Sequence, residues 1–178
     1  MEMRESGDAR AELAVGAVMG PGMHEFMPAP HCLYVLECRG PDGALKWREE
    51  IPNVVTTGGK DDLLDKYFAG SAYTAAWYMG LLNGTPAATD TLASHTGWTE
   101  QTPYTGNRPA ITWSSASGGS KAGSAVSYSI TASATVSGAF LASVNTGTAG
   151  ILYSAGNFSS SRTVASGDTL NVTPTMSV

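Results

Sequence analysis

From Ala110 to Val178, apolar and small polar positions alternate in short runs, with turn formers between them at nearly regular spacing. Successive side chains of a strand point to opposite faces, so this period of two describes strands that bury one face and show the other. Runs near Pro109–Trp113, Ala125–Ala132, Val136–Ser143, Gly150–Tyr153, Ser159–Val164 and Thr169–Thr175 predict strands. Gly118-Gly119, Gly138, Asn145-Thr-Gly147, Gly156-Asn157 and Ser166-Gly-Asp168 mark turns or bulges between them. Pro174 cannot donate to a ladder, so the last strand is expected to be an edge or to end there.

The same alternation appears earlier. Cys32–Cys38 predicts a strand, Gly40-Pro-Asp-Gly43 a turn, and Ala44–Glu50 the returning strand of a hairpin. Leu45 and Trp47 share a face with Glu49, which places Glu49 at the sheet margin, and Ile51-Pro52 is expected to end the strand. Lys60–Phe68 breaks the period: Leu63, Leu64, Tyr67 and Phe68 recur at helical spacing, Asp61 and Asp62 stand near the positive end, and Lys66 near the negative end. Thr57 or Gly58 is the expected cap and Gly70 the stop. So short a helix needs tertiary packing, and one mouth of a sandwich is the place expected for it. Ala75–Leu81 predicts a central strand. The long segment Asn83–Asn107 is expected to be anchored by Trp98 and Tyr104.

These runs total about eight or nine strands, the number of a jelly roll or related sandwich. The expected fold is all-β: an antiparallel β-sandwich, jelly-roll-like, over residues 32–178, with one short helix. Residues 1–31 are expected to form an extended N-terminal arm. Gly and Pro there are too close together for a helix or central strand, yet Val15, Val18, Met19, Met23, Phe26 and Met27 recur. Such an arm suits contact with a neighbouring subunit; a loose terminus, or one strapped to its own domain, is the alternative.

Composition narrows the function. Charged residues are 14% of the 178, against about a quarter in typical domains, which suits faces covered by neighbours, although a monomer with small polar side chains has the same composition. With 10 Lys and Arg, a net charge of -5 and no basic cluster, direct nucleic-acid binding is not expected. No apolar run approaches the roughly 20 residues that span a bilayer, so no membrane is expected as a partner. The N-terminus lacks the basic-then-apolar order of a secretory signal. Cys32 and Cys38 on one strand would lie about 20 Å apart, beyond the ~7 Å between Cα atoms that a disulfide permits; both are expected to be buried thiols.

Reactive groups are sparse. His24, His31 and His95 are the only histidines; His31 and Cys32, as adjacent strand residues, point to opposite faces, a poor start for tetrahedral zinc. Neither a Gly-x-Ser-x-Gly elbow nor a phosphate loop is present. Asp90, Glu100 and Asp168 are the only acids after Asp65, few for a paired-carboxylate hydrolase. No catalytic, metal or cofactor-binding residue is assigned, and no cofactor is expected. A carbohydrate-binding module is the rival reading, with Trp77, Trp98, Tyr104 and Trp113 as the aromatics; the plainer expectation puts Trp77 and Trp113 in the core on strands and uses Trp98 and Tyr104 to pin the long loop.

Several separated motifs add a family likeness. Asp61-Asp-Leu-Leu-Asp-Lys-Tyr-Phe68, Ser71-Ala-Tyr-Thr-Ala-Ala-Trp-Tyr-Met-Gly-Leu81, Asp90-Thr-Leu-Ala-Ser-His-Thr-Gly-Trp-Thr-Glu100, Arg108-Pro-Ala-Ile-Thr-Trp113, Ala116-Ser-Gly-Gly-Ser120, Leu152-Tyr-Ser-Ala-Gly-Asn-Phe158 and Val164-Ala-Ser-Gly-Asp-Thr-Leu-Asn-Val172 occur in that order. Together they resemble a family of small virion proteins of tailed bacteriophages, over roughly Val54–Thr175. The resemblance implies a non-enzymatic structural protein, made in the host cytoplasm and resident in the virion. The placement expected first is a capsid decoration or cement subunit on the capsid surface, partnered by the major capsid protein and copies of itself. A tail, collar or fibre-anchoring subunit, partnered by tail or fibre proteins, is the alternative.

Overall fold

In the computed structural model residues 30–70, 72–73 and 76–178 are described; the expected arm, residues 1–31, lies outside them except for Pro30 and His31. Strand β1 (His31–Arg39) buries Cys32, Tyr34, Leu36 and Cys38 on one face, as its period of two requires. A turn closed by the Gly43 amide on the Gly40 carbonyl (2.9 Å) leads into β2 (Leu45–Val55), antiparallel to β1. The other flank of β1 pairs with β9 (Thr169–Ser177). The far flank of β9 is shared: β6 (Val126–Ser129) lies against Thr169–Val172 and β5 (Ser120–Ala122) against Thr175–Ser177.

The second sheet runs β4 (Trp98–Gln101), β3 (Tyr78–Gly84), β7 (Ala134–Ala142), β8 (Leu152–Val164), antiparallel throughout. Strand β2 joins the layers: it pairs with β1 as far as Asn53, then Val54 and Val55 pair with Ala155 and Ser154 of β8. The all-β antiparallel sandwich is as the alternation predicts.

Two apolar clusters hold it. Between the sheets, Tyr34, Leu36 and Leu170 from one layer meet Met79, Leu81, Val136 and Leu141 from the other. Burial of each such aliphatic side chain contributes about 1.5–3 kcal/mol. On the opposite face of the second sheet, Leu82 and Phe140 pack with Leu92, Trp98 and Leu152. Strands β3 and β7 are thus buried on both faces, because the segment after β3 folds back over them. Some polar atoms inside are partnered: the Tyr128 hydroxyl donates to the Met79 carbonyl at 2.9 Å, and the Tyr34 and Ser154 hydroxyls are hydrogen-bonded; the Trp47 indole N–H, the Asn53 side-chain amide and the Tyr104 hydroxyl are buried without a partner among the described residues.

Several expectations are corrected by position. Ile51-Pro52 does not end β2: only Val54 and Val55 pair with β8, so one flank of Pro52 carries no partner and the missing N–H is tolerated. Pro174 marks no edge either. It lies opposite Tyr34 in an inner strand, at the gap between the stretches of β9 paired to β6 and to β5. Residues near Pro109–Trp113 make only isolated bridges, Tyr78 to Ala110 and Trp113 to Gly123. The strand expected over Ala75–Leu81 begins at Tyr78 and runs to Gly84; Ala75 lies outside the described residues. The two strands expected on either side of Gly156-Asn157 are one, β8, and that dipeptide sits at a bulge where the register jumps from Val136–Arg162 to Gly138–Asn157. The glycines there permit backbone contact: a Cβ on Gly138 would lie 1.9 Å from the Gly156 carbonyl oxygen.

Gly138→Ala is therefore expected to destabilise by about 1–3 kcal/mol through overpacking. Gly58→Ala, at a helical position with nothing within 4 Å of the new Cβ, is expected to stabilise by about 0.4–1 kcal/mol. Urea unfolding midpoints measure both, and equal midpoints for Gly138→Ala and the parent chain would contradict the close approach.

Candidate interaction site at the sandwich mouth

The site is built around the way helix α1 (Thr57–Phe68) is attached. Its cap is Thr56, one residue before the expected Thr57: the hydroxyl accepts from the Gly59 amide at 3.0 Å and donates to the Leu152 carbonyl of β8. The Thr56 amide donates to the Tyr153 carbonyl at 2.9 Å. Gly59 then lies directly on β8, where a Cβ would come within 2.3 Å of the Tyr153 carbonyl oxygen. These backbone contacts fix the rotation of the helix. Asp62, Leu63 and Lys66 face the sandwich mouth, while Leu64, Tyr67 and Phe68 are exposed, at 53%, 79% and 78%. The apolar face expected to pack is split, and the helix flanks the mouth instead of plugging it.

What remains is a cavity of about 680 Å³ opening at that mouth. It reaches the core residues Ile111 and Leu141; its walls carry Trp77, Trp113 and Tyr153, and the Trp77 and Tyr153 rings meet edge-on at 5.3 Å. Polar groups stand at its margin: the Asp62–Lys66 ion pair (3.3 Å), Lys121, Ser120 and Ser177. Burial, with smaller contributions from Cys32 and Asp62, pushes the Tyr153 phenol up to about 12, so it stays a neutral hydroxyl. A mostly apolar, aromatic concavity with a few polar groups at its edge suits an apolar side chain or chain segment.

Other singled-out residues have structural positions. Trp98 is buried, donates its indole N–H to Asp90 at 2.9 Å and stacks on His95 with ring centroids 3.8 Å apart. Tyr104 packs on Tyr128 at 4.7 Å. Both pin the long segment, as expected. Trp77 and Trp113 depart from expectation: neither belongs to a strand, and both are half-buried in the cavity wall. Nothing in their local pattern marks this, because the cavity forms between segments distant in sequence. The nearest signal is their setting, each aromatic lying close to small residues (Ala75-Ala76, Ser114-Ser115-Ala116) and not within an alternating run.

His31 lies at the start of β1, and the His95 Nδ1 is 3.1 Å from the Trp98 carbonyl oxygen. Among the described residues no three of His, Cys, Asp and Glu come together as a metal site; His24 lies outside them. Cys32 and Cys38 are free, buried thiols on the inward face of β1, raised by burial to about 12 and about 11. The three late acids are each engaged separately. Asp90 accepts from the Ala87 amide (2.8 Å) as well as from Trp98. Glu100 binds Arg108 through both oxygens at 2.7 Å. That buried guanidinium also reaches the Val144 and Gly147 carbonyls and lies over the Phe140 ring. Sequence reasoning passed over Arg108, whose burial becomes visible only once these loops meet.

Asp168 accepts from Lys46 (2.6 Å), the Ala165 amide (2.9 Å) and the Cys38 thiol (3.6 Å). Burial by itself would raise its carboxyl, but the Lys46 ammonium and these donors outweigh it and hold the group below its ordinary 3.8. A depressed folded value contributes stability above the ordinary value that is lost as pH falls through the folded one. Asp168→Asn is expected to lower stability at neutral pH and to flatten the loss of stability below pH 3.8. Unfolding midpoints measured across that range check this; an acid limb identical to the parent's would rule out the coupling.

Fold and site together define a class: a β-sandwich module with an apolar opening at one end and an outward apolar helix face beside it. The family described as Podophage GP4 fiber I protein gp80 matches residues 55–176, most of the sandwich, and the chain belongs to that family. It is a bacteriophage virion structural protein. The matched span agrees closely with the Val54–Thr175 likeness read from the motifs. No curated protein matches the chain.

Proposed function

We propose that this virion protein is a non-enzymatic tail- or fibre-anchoring subunit, with other virion proteins and copies of itself as its partners. The observation that carries the reading is the exposed trio Leu64, Tyr67 and Phe68 beside an apolar cavity. Apolar surface concentrated at one end favours a partner that removes it from water. The family's description as a fibre protein favours the tail over the capsid surface expected first. Capsid decoration has the low surface charge as its support, and low charge suits any crowded assembly.

The engaged acids, the buried thiols and the apolar character of the cavity support a role without chemistry. The carbohydrate-binding alternative loses Trp98 and Tyr104 as an open platform, because both rings are covered by the protein itself.

Gold-labelled antibody against this protein, viewed on intact virions, tests the placement. Label at the tail or its fibres is expected; label spread over the head would restore capsid decoration and defeat the proposal. Replacing Tyr67 and Phe68 together by Ser is expected to leave the circular dichroism spectrum unchanged and to reduce incorporation into virions by about tenfold or more, from the apolar burial lost.

A further inference from the structure

The described chain enters the fold at the mouth. His31 pairs with Ser177 and Cys32 with Met176, and Met176, Ser177 and Val178 line the cavity. Residues 1–29 therefore join the domain at the rim of its own opening. Their apolar residues gather toward that junction, at Val15, Val18, Met19, Met23, Phe26 and Met27, with Glu25 the one acid among them. The chemistry is complementary: the cavity is walled by Trp77, Trp113 and Tyr153, and Lys121 at its margin has no acidic partner among the described residues. Its volume of about 680 Å³ falls within the roughly 300–1,000 Å³ typical of pre-formed ligand sites.

Whose arm can enter is decided by the junction Met27-Pro-Ala-Pro30. For Phe26 and Met27 to reach their own mouth, the chain would have to reverse within these residues. Proline fixes its own φ and holds the preceding residue extended, so Met27 and Ala29 are both biased against a tight reversal. An extended run at about 3.1 Å per residue would continue the line of β1 off the end of the domain and would carry Phe26 and Met27 away from their own cavity.

We propose that the mouth cavity is the seat for residues 15–27 of a second copy of this chain, so that subunits link arm to mouth. The contact is heterologous, and repetition builds a ring where the rotation closes or an open string where it does not. The proposal concerns how copies join and does not depend on where in the virion they stand, so the labelling result and this one fail independently.

Complementation between two full-length variants tests it. Met23→Asp with Phe26→Asp spoils the arm and leaves the mouth intact; Ala116→Arg sets a long cation on the cavity lining and leaves the arm intact. Light scattering is expected to show a concentration-dependent oligomer for the parent chain. Each variant alone should associate at least about tenfold more weakly, because the arm variant loses the burial of two apolar side chains and the mouth variant sets a charge in their place, and an equimolar mixture should regain a dimer through its one intact arm-mouth pair. A peptide of residues 13–29 should change the tryptophan fluorescence of the arm variant. Should Ala116→Arg misfold, this peptide titration decides together with the arm variant's mass. A monomeric parent whose mouth binds the peptide would overturn the proposal in favour of an arm strapped to its own domain. Undiminished association of the arm variant would assign the contact to another surface, such as the outward helix face. A mouth that binds an oligosaccharide and ignores the peptide would also overturn it.

Discussion

The seam at which Val54, Val55 and Thr56 meet Leu152–Ala155 governs the rest of the molecule. Two residue pairs, Val54–Ala155 and Val55–Ser154, and the Thr56 hydrogen bonds to the Leu152 and Tyr153 carbonyls and from the Gly59 amide occur there within a few residues. The residue pairs join the layers through one continuous β2, and the Thr56 bonds start the helix at the moment β2 ends. Gly59 completes the seam by bringing helix backbone onto strand backbone. With both ends of the contact made of backbone, the helix has little freedom to roll, and the side chains on each of its faces follow from that.

An open mouth and an outward apolar face are two results of this one constraint. A helix free to rotate would turn Leu64, Tyr67 and Phe68 inward and fill the cavity, since the apolar burial favours it. Held against β8, it presents them to solvent and leaves Trp77 and Trp113 half-covered. The fold therefore retains unburied apolar surface at one end while two other aromatic residues, Trp98 and Tyr104, are packed away. For a virion protein that asymmetry supports the proposed association, in which a neighbour would supply the burial the isolated domain forgoes.

Ionisable groups, by contrast, are committed to holding loops. Arg108 draws together the loops around Glu100, Val144 and Gly147, and Asp168 ties the turn before β9 to Lys46 and Cys38. Both are buried, so each is stabilised by the completeness of its hydrogen bonding rather than by charge attraction alone. Removing one partner leaves a desolvated charge, which is why such pairs fix loop geometry.

Much of this was legible from local pattern. Cys32, Tyr34, Leu36 and Cys38 alternate and are buried as alternation requires; Trp98 and Tyr104 anchor the segment their aromatic character suggested; the ordered motifs pointed to a phage virion family before any fold was known. Periodicity reports the face a residue shares with its neighbours in sequence, and these features need no more. The rest was set by contacts between distant segments. Gly156-Asn157 reads as a turn until Gly138 of the neighbouring strand is laid against it. Pro174 reads as an edge until β5 and β6 divide the flank of β9 around it. Leu64, Tyr67 and Phe68 read as a packing face, and only the meeting of Thr56 and Gly59 with Leu152 and Tyr153 turns them outward. A local pattern states which residues can be buried together; which of them are buried depends on the rotation and register of elements that meet only in three dimensions.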